Sequence, residues 1–181
     1  MEALGMIELN SVAAGIDAGD RMLKATAVSL TAALPVCPGK FIVMVRGDVA
    51  AVKSAVEAGL DVGGENFVDS LVIPSVHPQV FAAVSGTAEV SETGAIGVLE
   101  TFSLAACIWA SDAAVKAAGV QLMEIRLGRG LGGKSYVLLT GDVSAVSEAI
   151  HVGKSHPECA GMIARSVVIP APHPAIREAL I

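Results

Sequence analysis

Hydrophobic and polar positions along the chain fall into one series of elements that runs twice. Ala3–Leu9 and Ala95–Glu100 are short apolar runs that read as strands. Each leads into a small-residue stretch, Ser11–Thr26 or Ser103–Ala118, which predicts a helix of about four turns. Ser11 or Asn10 is placed to cap the first of them. Further strands are predicted over Val28–Leu34 or Val120–Leu127, and over Phe41–Arg46 or Ser135–Thr140. Gly47-Asp48 and Gly141-Asp142 then open a second helix, with the Asp as N-cap and Gly59 or Gly153 as its C′ residue. A last strand, Phe67–Ile73 or Ile163–Ile169, ends at a proline.

The two series are copies. Residues 4–30 match 96–122 at 12 of 27 positions, 39–59 match 133–153 at ten of 21, and 70–78 match 166–174 at six of nine. GDVAAV answers GDVSAV, and SLVIPSVHP answers SVVIPAPHP. The chain is a tandem duplication. The polar segment SGTAEVSETG at 85–94 marks the boundary and gives domains at 1–88 and 95–181. The order β-α-β-β-α-β is a split β-α-β unit on an antiparallel sheet, so the fold class is α/β of the α+β type, with two ferredoxin-like domains.

Composition narrows the function. Hydrophobic residues are 53% of the chain, charged residues 17% and aromatics 3%, so the apolar content is mostly Ala, Val, Ile and Leu. Disorder is excluded. A net charge of −6, without a basic cluster, argues against nucleic acid as a partner. The longest uncharged run, Ser70–Ala88, is broken by Pro74, His77 and Pro78, so no membrane span is expected. No signal peptide is read at the N-terminus. Three cysteines without CxxC spacing suit a reducing cytoplasm rather than a disulfide framework. So little charge implies either a large core of small side chains or a surface hidden in an assembly.

The copies share a scaffold and differ in one loop. Residues 31–38 read TAALPVCP where 123–132 read MEIRLGRGLG, two residues longer. Divergence of one loop on a common frame is a usual way to place function. Cys37 lies in the first loop, within Val36-Cys37-Pro38-Gly39-Lys40. Pro38 and Gly39 impose a turn that presents the thiol, and Lys40 is a neighbour that favours thiolate. Cys107, among Ala105, Ala106 and Ile108, reads as core, and Cys159 as a bystander in a loop. One cysteine cannot hold an iron–sulfur cluster, which takes four thiolates, or a structural zinc. A threefold axis beside Cys37 would bring three thiolates to one point and leave a fourth corner open.

The run Gly128–Lys134 invites a phosphate-loop reading, but a strand rather than a helix follows Lys134. A loop at a pore rim is preferred. His77 and His173 recur after the strand-ending prolines, and His151 and His156 show no evident role. Glu8 and Glu100 have no carboxylate partner, and no nucleophile–base set appears, so an enzyme is not expected.

LGMIELNSVAAGIDAGDRMLKAT, GDVAAV and VIPSVHP, recurring in order in both halves, resemble the bacterial microcompartment shell domain. Two such domains in one chain resemble the tandem-domain, trimer-forming shell proteins. The resemblance implies a homotrimer shaped as a pseudohexagonal tile, packed with other shell proteins around enzymes in the cytoplasm. Lys24 and Lys116 match the family's edge lysine, and His77 and His173 fall in its edge turn. The arginine often found in that turn is missing here. VCPGK and GLGGK resemble a subgroup in which the cysteine matching Cys37 binds a [4Fe-4S] cluster, one per trimer, on the threefold axis. That implies a pore region built by Val36, Pro38 and Gly39 with Gly130 and Gly132. It further implies electron transfer or cluster delivery across the shell, with an encapsulated or cytosolic redox protein as partner. Two alternatives stand beside it: a shell trimer with a metal-free pore for small metabolites, and a ferredoxin-like regulatory protein that binds an effector.

Overall fold

The computed structural model describes residues 2–90 and 94–180; residues 91–93 of the boundary segment lie outside it. The chain forms two compact units. One runs up to Val76 and takes in Arg129–Gly132; the other holds His77–Gly128 and the chain from Gly133 onward.

The first unit contains β1 (Ala3–Leu9), α1 (Val12–Ala25), β2 (Ser29–Val36), β3 (Lys40–Gly47), α2 (Val49–Gly63), a 3-10 turn (Gly64–Asn66) and β4 (Phe67–Ile73). Its sheet is antiparallel in the order β2-β3-β1-β4, the ferredoxin-like arrangement expected from the sequence. Central β1 is buried at every position, Glu8 included, which suits its largely apolar sequence, whereas in edge strand β2 only Val36 is buried. The core gathers Ile7, Leu9, Met22, Phe41, Val43 and Val56 between sheet and helices. Ser11 caps α1, its hydroxyl accepting from the Ala14 N–H at 3.2 Å.

The second unit repeats the plan with β5 (Ala95–Thr101), α4 (Leu104–Ala117), β6 (Val120–Leu127), β7 (Ser135–Gly141), α5 (Val143–Ser155), a 3-10 turn (Pro157–Cys159) and β8 (Ile163–Ile169), in the order β6-β7-β5-β8. Ser103 repeats the cap at the start of α4.

Two short helices were not expected. α3 (Pro78–Val84) and α6 (Pro174–Ala179) follow the last strand of each repeat. Their N-caps are His77 and His173, whose Nδ1 atoms accept from the N–H of Gln79 at 3.3 Å and of Ala175 at 3.2 Å. Proline occupies the first turn of both helices, where its missing N–H costs nothing. α3 belongs to the second unit and lies against β6 and α4. There the His77 N–H donates to Asp112 Oδ1 at 2.8 Å. The Gln79 side chain brackets the edge of β6, accepting from the Leu122 N–H at 2.7 Å and donating to the Val120 carbonyl at 3.4 Å. An edge strand is thereby covered.

Gly59 and Gly153 are not C′ residues. Both lie inside helices, buried where α2 meets α1 and where α5 meets α4. A Cβ on Gly59 would stand 2.7 Å from Met22 Cγ, and one on Gly153 would stand 2.9 Å from the Ala110 carbonyl oxygen. They are glycine because the helices touch there, not because the helix ends. Asp48 and Asp142 do occupy the N-cap positions, but neither side chain makes the capping bond.

Candidate functional site

The divergent stretches are not loops throughout: residues 31–36 belong to β2 and 123–127 to β6, and only their ends reach the tips of the β2–β3 and β6–β7 hairpins. In the first, Val36 pairs with Lys40, leaving Cys37, Pro38 and Gly39 as a three-residue loop. Gly39 has φ +70°, the left-handed conformation that a three-residue hairpin commonly uses. The Cys37–Pro38 peptide is cis. Val36 is buried and holds the base of the loop, and Cys37 is a half-buried free thiol at its tip.

Lys40 does not serve the thiol. Its ammonium bonds Glu8 Oε1 at 2.7 Å, and Glu8 is only 2% exposed. The side chain reaches from β3 to the neighbouring strand β1 and ties down the foot of the hairpin. Sequence reasoning left Glu8 without a partner. The available signal was that the Glu and the Lys both recur, at Glu100 and Lys134, where the pair is looser at 3.4 Å.

The second hairpin carries Gly128, Gly130, Gly132 and Gly133, all with positive φ between 60° and 89°. The backbone path therefore accounts for the glycines. Ser135 begins β7 and Lys134 pairs with Glu100, so no helix N-terminus follows and the phosphate-loop reading fails on context. Gly130 and Gly132 sit at this tip as Pro38 and Gly39 sit at the other.

The other two thiols are buried. Cys107 lies in α4, and burial pushes its pKa up to about 12. Cys159 is no loop bystander: it is fully buried, its Sγ lies 3.2 Å from the Ala106 carbonyl, and burial pushes its pKa up to about 11. Cys37 is the thiol that reaches the surface. His156 also has a place: it caps the turn that ends at Cys159, and its ring stacks on Trp109 with centroids 5.2 Å apart. Lys24 is exposed and pairs with Asp20; Lys116 pairs with Asp112, which is buried under the start of α3.

Among the described residues no three His, Cys, Asp or Glu side chains converge on a metal position within one chain. No helix among them is long and apolar enough to cross a membrane.

The BMC domain matches the chain twice, over residues 3–76 and 95–172. The chain belongs to the BMC-domain family. It is a tandem-domain microcompartment shell protein, and its two BMC domains each carry the four-stranded sheet and helices described above. It is 44% identical over 172 residues to the bacterial microcompartment shell protein PduT of Citrobacter freundii, covering 95% of this chain and 94% of that one. The carboxysome assembly protein CcmO of a Synechocystis strain is 33% identical, over 93% of this chain and 61% of its own length. A microcompartments protein from Desulfitobacterium hafniense has the same fold in its crystal structure, with a TM-score of 0.94 and 47% identity, over 98% of this chain and 99% of that one. The BMC-domain match places this chain in a family of structural shell components.

Proposed function

We propose that the protein is the tile of a microcompartment shell and a carrier of redox charge through it. Three chains form a pseudohexagonal homotrimer whose six BMC domains surround one axis. The Cys37 hairpins meet on that axis, and the β6–β7 hairpins line the same region without a thiol. Other shell proteins join at the tile's edge through Lys24 and Lys116, beside the turns that carry His77 and His173.

The observation that carries this reading is the contrast between the two hairpin tips. One copy presents a single thiol on a tight turn, and the other presents none. A single chain supplies one thiolate and does not fit a cluster. Three chains supply three, which suits a [4Fe-4S] cluster with one iron left for an outside ligand. Such a cluster supplies one-electron transfer when bound. Cys37 would hold it, Pro38 and Gly39 would shape the approach, and the Glu8–Lys40 pair would keep the hairpin foot in place. Electron exchange with an encapsulated or cytosolic redox protein, or delivery of the cluster itself, follows from a site that crosses a thin layer.

Anaerobic iron and sulfide analysis of the reconstituted protein tests it, beside Cys37→Ser. About four irons per three chains are expected in the parent and none in the variant. Iron-free parent protein, or equal iron in both, would refute the cluster and leave the metabolite pore as the better reading.

A further inference from the structure

The cores of the two domains differ in chemistry at matching positions. In the first, Leu9 of β1 pairs with Phe41 of β3, and both side chains belong to the apolar core. Gly15 of α1 makes room for the Phe41 side chain: a Cβ there would stand 2.6 Å from Phe41 Cβ. In the second, Thr101 stands for Leu9, Ser135 for Phe41, Cys107 for Gly15 and Ser111 for Gly19. Cys159 joins them from the longer connection between α5 and β8. None of these five side chains is more than 1% exposed. An apolar, aromatic packing has given way to a closed set of two thiols and three hydroxyls.

The five lie together. Thr101 and Ser135 face each other across β5 and β7, so their side chains leave the same side of the sheet. Thr101 and Ser111 hydrogen-bond the Cys107 thiol, and Cys159 is close enough to that thiol to add to the rise of its pKa. Cys159 Sγ lies 3.2 Å from the carbonyl oxygen of Ala106, the residue before Cys107. The Thr101 and Ser111 hydroxyls donate to the Ser103 and Cys107 carbonyls at 2.7 and 2.6 Å. Ser135 Oγ has no hydrogen-bond partner among the described residues. A buried hydroxyl without a partner is costly and rare, and a bound ion is one of the things that accounts for it.

We infer that Cys107 and Cys159 form a closed site for a soft monovalent metal ion, copper(I), with Ser135 donating its hydroxyl hydrogen to a ligating thiolate. The donor set selects the ion. A structural zinc takes four Cys, His or carboxylate ligands, and an iron–sulfur cluster takes four thiolates. Two thiols with only neutral hydroxyls beside them satisfy neither. Thiolates favour copper(I), and a filled-shell monovalent ion is satisfied by two of them in line. Binding exchanges protons for metal. Both S–H bonds break, two S–Cu bonds form, two protons pass to solvent and no electron moves. The bound set carries one negative charge, which the Ser135 O–H offsets. Burial keeps both thiols protonated when no metal is bound. The site is closed in the folded domain, so the ion enters as the chain folds. Cys37 takes no part, so the site is independent of the cluster proposed above.

Refolding of the full-length Cys37→Ser protein from urea with copper(I), under reductant and without oxygen, tests it; this background removes the thiol that reaches the surface. After passage over a copper(I) chelator, about one ion per chain should remain, with two sulfur neighbours by X-ray absorption. Cys107→Ala and Cys159→Ala in the same background should each lose it, with circular dichroism showing that the fold is kept. Ser135→Ala removes the hydroxyl alone and should bind about tenfold or more weakly in chelator competition. Copper-free protein after refolding would overturn the site, and so would equal copper in either cysteine variant. Unchanged affinity in Ser135→Ala would take Ser135 out of it. Zinc(II) offered in place of copper(I) should wash away, and a zinc-loaded protein would contradict the two-ligand arrangement.

Discussion

Lys40→Met should damage the protein far more than Lys134→Met, although the two lysines hold the same place in the two repeats. Lys40 meets Glu8 at 2.7 Å; the lysine side chain is 24% exposed and the glutamate 2%. Removing it leaves a carboxylate in the sheet with no cation beside it. Breaking a buried pair costs about 3–5 kcal/mol, and the partial access of water at Lys40 brings that to about 2–4 kcal/mol. The Lys134–Glu100 contact is 3.4 Å long with both ends about two-fifths exposed, so its loss should cost about 0–1 kcal/mol. The double variant Glu8→Leu with Lys40→Met removes both charges and should regain most of the difference. Urea unfolding at one fixed protein concentration, followed by circular dichroism, measures all four proteins. Equal losses at Lys40 and Lys134, or a double variant no better than Lys40→Met, would refute the claim that this pair anchors the hairpin.

Thiol labelling of the iron-free protein should find one fast cysteine per chain, lost in Cys37→Ser, and two more only after unfolding, because Cys107 and Cys159 are fully buried. Fast reaction of more than one native thiol would count against this. Alkaline stability should also fall with a known sign. The folded pKa values of Cys107 and Cys159, about 12 and about 11, lie above the ordinary 9.0, so the fold favours the neutral thiols. Their contribution is complete below pH 9 and is lost as pH rises through 11 to 12. Tyr136, raised from 10.0 to about 12 by burial beside Glu124, adds to the decline above pH 10. Unfolding midpoints measured from below pH 9 up to about pH 11 check it, and Cys107→Ala with Cys159→Ala should flatten the curve.

The strands and long helices were legible because a duplicated pattern is read twice, and each copy corrects the other. The sheet order followed from the β-α-β-β-α-β succession. α3 and α6 escaped because a helix of seven or six residues is too short for periodicity to register. Their signal was the His-Pro pair, a cap followed by a proline in the first turn. Gly59 and Gly153 misled because glycine marks a helix end and a close helix contact alike, and only packing separates the two. Cys37 was legible as the odd residue of a divergent loop. The partner of Lys40 was not, since Glu8 lies 32 residues away and meets it only through the pairing of β1 with β3.

The unequal hairpins carry a consequence for counting. A ring of six identical domains can display a side chain only six at a time, so three is not an available number. Writing the domain twice into one gene and letting one hairpin keep a thiol while the other becomes a glycine loop makes three available. In the trimer proposed above, copy number in the gene would set the number of thiols at the axis, and a single codon at position 37 would change three of them at once without touching the other three loops.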